Sequence, residues 1–141
     1  MATWWHYLPW CSDPRVRRAR QAARARRASG VRAERAALWY LRCSGLRLVA
    51  RNYRTRSGEI DLVMRDGTTL VFVEVRLRNR VEFGDGAASV GLAKQRRLIR
   101  TAEQFVARHA LQRMQCRFDV VSVRKPHYRL HLKWIRNAFT A

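Results

Sequence analysis

The dipeptide Asp66-Gly67 lies between two runs whose residues alternate with period two, Glu59 to Arg65 and Thr68 to Arg78. Glycine accepts positive φ without steric cost, and alternating flanks put successive side chains on opposite faces of a strand. The stretch therefore predicts a β-hairpin. With Asp66-Gly67 as the loop, 65 faces 68, 61 faces 72 and 59 faces 74, so Glu59, Asp61, Phe72, Glu74, Arg76 and Arg78 share one face. The other face carries Ile60, Leu62, Met64, Val71, Val73, Val75 and Leu77, an apolar set suited to a core. A slip of one residue scatters the carboxylates over both faces, whereas a slip of two keeps them together. Their convergence thus depends only on the parity of the turn.

That convergence needs a cause, because acids are scarce: 10 Asp plus Glu stand against 30 Lys plus Arg. Carboxylates that face one another repel unless a cation sits between them, and hard oxygen ligands favour Mg²⁺ or Mn²⁺. A metal at Asp61 and Glu74 would organise a water nucleophile and stabilise the charge that develops on a phosphodiester. The competing reading is a solvated face on which Glu59 and Glu74 pair with nearby arginines. Both readings stay open on the residues alone.

Around the hairpin, residues 1–29 form a Trp- and Arg-rich arm, expected to be flexible, and 30–141 form one domain. Trp4, Trp5 and Trp10 of the arm either stack on bases or pack on the domain surface. The spacing of Ala33, Ala36, Ala37, Tyr40 and Leu41 predicts a helix over Val31 to Cys43 that Ser44-Gly45 ends. A strand over Leu46 to Tyr53 follows, then the basic turn Arg54-Thr55-Arg56-Ser57-Gly58. After a glycine-containing loop over Arg78 to Ser89, a helix is expected over Val90 to Ala110. Its apolar stripe is Leu92, Leu98, Ile99, Ala102, Phe105 and Val106, and Lys94, Arg96, Arg97, Arg100 and Arg108 form a basic row. Arg117 to Val123 and Tyr128 to Ile135 read as strands, the last at an edge. Asp119 falls opposite Phe118 and Val120, placed to hold Arg117 or a neighbouring strand.

A net charge of +20 implies a polyanionic partner, bound with release of counterions. DNA is the expected partner, and RNA is not excluded, since nothing in the chain reads a 2′-hydroxyl. No apolar run is long enough to span a bilayer, and the aromatic N-terminus lacks the pattern of a secretory signal. Cys11, Cys43 and Cys116 are odd in number and without paired spacing, which points to a reducing compartment, the cytoplasm, rather than a disulfide framework or zinc knuckle. His127 and His131 share a strand face, a spacing read as incidental.

The order of an Asp, twelve residues and then Glu-Val-Arg on the next strand resembles the PD-(D/E)XK nuclease superfamily. More closely, the chain resembles the YraN family of small bacterial proteins, related to archaeal Holliday junction resolvases. The matching pieces are Gly30 with Glu34, Asn52 with Arg54, Gly58-Glu59-Ile60-Asp61-Leu62, Phe72-Val73-Glu74-Val75, Phe83-Gly84, Lys94, Arg117 to Val121, and Asn137-Ala138-Phe139. The resemblance implies an α/β, restriction-endonuclease-like core in the order αβββαββ, acting on DNA, including branched or junction DNA. It makes Glu34, Asp61, Glu74 and the carbonyl of Val75 ligands of Mg²⁺ or Mn²⁺, with Glu59 an auxiliary acid. Arg54, Arg56, Arg78, Lys94 and Arg97 become nucleic-acid contacts, and a junction resolvase needs a homodimer. Position 76 departs from the superfamily's lysine. Arg76 can grip phosphate but is a poor general base. With lysine only at 94, 125 and 133, this is either compositional drift or a sign that catalysis is lost. Lys94, opening the second helix, is either a migrated ammonium or an ordinary helix lysine that meets solvent or phosphate.

Overall fold

The computed structural model of the chain describes residues 13–78, 90–124 and 129–141. Two compact units divide the sequence, Met1–Arg32 and Ala33–Ala141. The elements are α1 (Pro14–Cys43), β1 (Arg47–Arg54), β2 (Glu59–Asp66), β3 (Thr69–Arg78), α2 (Leu92–Arg108), β4 (Gln115–Arg124) and β5 (His131–Phe139). This is the expected order αβββαββ, with a five-stranded mixed sheet, and it is consistent with a restriction-endonuclease-like core.

Helix α1 begins at Pro14, well ahead of the expected Val31, and its cap explains why. Asp13 Oδ1 accepts the Arg15 N–H at 2.7 Å, with proline at the first helical position, where its missing donor costs nothing. At the other end the helix stops where Ser44-Gly45 predicted. Gly45 has φ +94°, its N–H donates to the Arg42 carbonyl, and the Leu46 N–H reaches back to Leu41. This is the paired-bond C-terminal motif that glycine permits. Leu41 and Leu46, both buried, join the same core cluster.

The strands lie in sequence order across the sheet. β1, β2 and β3 are joined antiparallel, β3 and β4 run parallel, and β4 and β5 are antiparallel. Parallel neighbours need a crossover, and α2 supplies it. Both sheet faces are therefore buried. Ala33, Ala37 and Leu41 of α1 pack with Leu62, Met64, Val71, Val73, Val121 and Val123. Leu98, Ala102 and Phe105 of α2 pack with Val63, Leu70, Phe72, Phe118 and Val120. The carboxylate-bearing face, expected to carry the site, is thus also the floor of a second hydrophobic core. Leu92, expected in the α2 stripe, is 71% exposed, and Thr101 is buried in the stripe with its hydroxyl donating to the Arg97 carbonyl.

The hairpin register differs from the expected one by two residues. Asp66 pairs with Thr69, Met64 with Val71 and Leu62 with Val73, so the loop is Gly67-Thr68. Positive φ occurs in that loop at Gly67 alone (+58°), the signature of a type II′ rather than a type I′ turn. Asp66 stays in the strand because its carboxylate pairs with Arg117 of β4 at 3.0 Å, and Arg65 Nε donates to the Gly67 carbonyl at 2.8 Å. Parity is conserved from Leu62 to Met64, as the slip of two requires, but Ile60, expected beside them, packs instead in the core under α2, beyond the end of the β2–β3 ladder.

Asp119, 1% exposed, organises the far side of the sheet. It accepts both contacts from Arg117 Nε, the Trp134 indole N–H at 2.9 Å and the Asn137 N–H at 2.9 Å. The β4–β5 register shifts between Phe118 and Val120, and Asn137 takes φ +48° there, so the carboxylate pins the irregularity. Its role in holding Arg117 matches the expectation. β5 is an edge strand, as expected, but runs later in the chain than Tyr128 to Ile135. The Arg78–Ser89 loop from 79 onward, His127, Cys11 and the N-terminal tryptophans lie outside the described residues.

Asp119→Ala removes one of the two acidic partners of Arg117 and leaves the indole N–H and a strand amide without their acceptor. The expected cost is about 3 kcal/mol, read as a lower urea midpoint with an unchanged slope.

Candidate active site

The observed register places Asp61, rather than Glu59, opposite Glu74, one step beyond the last ladder pair Leu62 and Val73. At this step the side chain replaces the ladder: Asp61 Oδ2 accepts the Val75 N–H at 2.7 Å. Val75 therefore touches the acid pair through its amide. Both acids lie on the face covered by α2, just past Val63 and Phe72 of its core.

Helix α2 starts beside them. Its first-turn residue Lys94 brings its Nζ to 3.2 Å from Glu74 Oε2. The contact has ion-pair distance without hydrogen-bond alignment, and this buried oxygen has no hydrogen-bond partner among the described residues. The site thus sits midway along β3, under the first turn of the crossover helix.

Electrostatics follow from the enclosure. Burial pushes the Asp61 carboxyl up to about 7, repulsion from Glu74 and, more weakly, Glu34 adds to it, and the Val75 N–H and Lys94 oppose it. Glu34 of α1 thus acts on Asp61 through charge. No group of three or more His, Cys, Asp and Glu among the described residues is spaced to hold a metal ion, so the pair stands without Glu34 as an immediate third ligand. Two carboxylates still suit Mg²⁺, which keeps several waters and is commonly held by one or two carboxylates plus substrate phosphate. The orphaned Glu74 Oε2 and the raised Asp61 are what a cation would relieve.

Beside the pair opens a cleft of about 340 Å³ lined by Arg54, Thr55, Gly58, Glu59, Lys94, Arg97 and Leu98. Three cations and one acid line it. Glu59 accepts from Arg54 at 3.1 Å, an exposed pair of small energetic weight, so it ties down an arginine as the solvated-face reading expected. The cleft wall is braced in a way the sequence did not disclose. Gln104 Nε2 donates to Ser57 Oγ at 2.8 Å, and Gly58 lies so close to α2 that a Cβ there would meet Thr101 Oγ1 at 3.1 Å. Glycine at 58 reads in the sequence as a turn residue and as part of a family motif, but its close approach to Thr101 of α2 leaves no local signal. Arg56 is exposed in the turn, while Arg76 and Arg78 are partly buried on β3, Arg76 level with Ser122 of β4. The basic row is otherwise exposed at Arg96, Arg97, Arg100 and Arg108. Cys43 and Cys116 are free and exposed. No helix among the described residues is long and apolar enough to cross a membrane.

A mixed sheet in the order αβββαββ, with an Asp and a Glu brought together on adjacent strands at a basic cleft, defines an α/β domain of restriction-endonuclease-like type. Comparison with known proteins then gives the family. The sequence model of the group described as Uncharacterised protein family UPF0102 matches residues 33–123. A UPF0102 protein of Stutzerimonas stutzeri is 50% identical over 112 residues, covering 79% of this chain and 93% of the relative. Another from Xanthomonas campestris pv. campestris is 53% identical over 116 residues, covering 82% and 93%. A third, from Ralstonia nicotianae, is 52% identical over 116 residues, covering 79% and 86%. The chain belongs to the UPF0102 family, which is the YraN family its motifs resemble.

The raised Asp61 makes a signed prediction for the metal-free protein. A carboxyl whose folded pKa lies near 7, above its unfolded value of 3.8, favours folding fully below pH 4, and that contribution is lost as pH rises through 7. Asp61→Asn should therefore leave stability unchanged near pH 4 and raise it at pH 8 by on the order of 2 kcal/mol, measured by denaturant unfolding in EDTA.

Proposed function

We propose that this protein is a metal-dependent endonuclease acting on DNA, with Asp61 and Glu74 as its metal-binding acids. The observation that carries the reading is the enclosed acid pair, with its unpartnered Glu74 Oε2, at the edge of a cleft lined by Arg54, Lys94 and Arg97. Mg²⁺ or Mn²⁺ held there supplies Lewis acidity toward water and a phosphate oxygen. Asp61 and Glu74 provide hard oxygens for it, Asp61 being held in place by the Val75 N–H. Glu34 adds negative charge that favours a bound cation, and the Val75 carbonyl is a further candidate ligand.

In the reaction, a water oxygen forms a bond to phosphorus while the bond from phosphorus to one sugar oxygen breaks with its electron pair. That sugar oxygen takes up a proton and the water gives one up, leaving a phosphomonoester and a sugar hydroxyl. Arg76 orients the phosphate on the strand that carries Glu74. Arg54, Arg56, Arg78 and Arg97 follow the backbone on either side, and Glu59 keeps Arg54 from collapsing across the acids. Cutting both strands of a branched junction would require two such sites related by a twofold axis, hence a homodimer.

A second reading has its own support: with Lys94 paired to Glu74 and arginine at 76, the same acids can serve only to balance local positive charge in a nucleic-acid-binding protein. Cleavage of labelled linear, flapped and four-way-junction DNA in Mg²⁺ and Mn²⁺ separates the two. Metal-dependent nicking that Asp61→Ala and Glu74→Ala each reduce at least about 100-fold, with DNA affinity retained, supports the nuclease. Tight binding without cleavage on any substrate supports the second reading and defeats the first. In either case Arg97→Ala should weaken DNA binding alike for all sequences and lower the slope of log affinity against log salt by about 1.

A further inference from the structure

We propose that Lys94 is the ammonium that meets the scissile phosphate at this site, delivered from the first turn of helix α2. The inference rests on Asp61 and Glu74 being the metal-binding acids.

Three observations carry it. First, Lys94 Nζ approaches Glu74 Oε2 to 3.2 Å, yet its side chain is 44% exposed against 12% for Glu74. One end of the contact is inside the site and the other opens on the cleft that Arg54 and Arg97 line. A lysine that served only to neutralise Glu74 would gain nothing from facing a cavity large enough for a phosphate group. Second, the base of the side chain is held firmly. The Lys94 N–H donates to the Gly91 carbonyl at 2.8 Å, and Gln95 Nε2 donates to the carbonyl of buried Val90 at 2.6 Å. The ammonium thus swings on a fixed stem. Third, Arg76 is not an equivalent cation. Its planar guanidinium suits two-pronged contact with phosphate oxygens, whereas a compact ammonium fits between a carboxylate and one oxygen beside an attacking water. Lys94 and Lys133 are the lysines among the described residues, and Lys133 sits on β5, across β4 from β3.

The placement has a consequence that a plain surface ion pair lacks. Lys94 and a divalent cation compete for the same Glu74 oxygen, so removing the ammonium should help the metal and harm the reaction. A merely structural role would weaken both together or neither.

The test measures Mn²⁺ affinity by calorimetry and Mn²⁺-dependent cleavage of labelled junction DNA for wild type, Lys94→Gln, Lys94→Arg and Asp61→Asn. The expected result is that Lys94→Gln binds Mn²⁺ about tenfold more tightly and cleaves at least about 100-fold more slowly. Lys94→Arg should bind Mn²⁺ as wild type does and still cleave slowly. Wild-type cleavage by either Lys94 variant, with Asp61→Asn inactive, overturns the role of Lys94 and leaves the proposed function standing. Weaker Mn²⁺ binding by Lys94→Gln also overturns it, since the lysine would then be supporting the acids. If wild-type protein shows no Mn²⁺ binding that Asp61→Asn removes, the metal reading fails and this inference with it.

Discussion

A parallel pair of strands cannot be closed by a tight turn, so the ladder that joins β3 and β4 along all ten residues of each obliges the chain to cross the sheet, and it crosses as α2. That crossover buries the face that would otherwise be wet. Phe72 and Phe118 stack at 5.5 Å under it, and Phe105 of α2 meets Phe72 edge-on at 6.0 Å. Anything on the same face beyond this core is half-enclosed. Asp61 and Glu74 fall there, and the first turn of α2 brings Lys94 against Glu74. The site is therefore a by-product of topology as much as of local sequence: the helix that completes the core also roofs the acids and brings Lys94.

Keeping two carboxylates in such a place works against folding, and the structure offsets the repulsion locally. Asp61 spends one oxygen on the Val75 amide, where the ladder would otherwise continue, and Lys94 stands against Glu74. The opposite side of the sheet handles charge differently. Asp119 is more deeply buried than either site acid, yet all its contacts are donors from Arg117, Trp134 and Asn137. One buried acid is satisfied and structural; the other pair is left with an orphaned oxygen. That contrast, within a single sheet, is the physical observation on which the proposed roles of Asp61 and Glu74 rest.

Much of this was legible. The alternation around Gly67 disclosed the hairpin, Ser44-Gly45 disclosed the helix end, and the opposition of Asp119 to its apolar neighbours disclosed a structural acid. Asp13-Pro14 also carried a readable helix start, a capping residue followed by proline, which the arginine-rich composition around it obscured. The register was not legible, because Asp66-Gly67 and Gly67-Thr68 are both acceptable two-residue loops. The choice was made by an ion pair from Asp66 to Arg117, a residue on a strand that does not yet exist when the hairpin is considered alone. Leu92 failed because it opens α2 on the outward side of the first turn, 71% exposed where Leu98 a turn and a half later is buried.

By itself, then, the sequence determined the hairpin and its alternation from Leu62 onward, and a slip of two left Glu74 on the face of Phe72 under either register. It also determined the surplus of arginine and the net charge of +20. Only the tertiary structure decided that Asp61 rather than Glu59 would face Glu74, that this face would be roofed, and that a lysine twenty positions along the chain would reach the acids. Those outcomes depend on where β4 and α2 come to rest against the hairpin, and such long-range contacts leave no periodic trace in the chain that makes them.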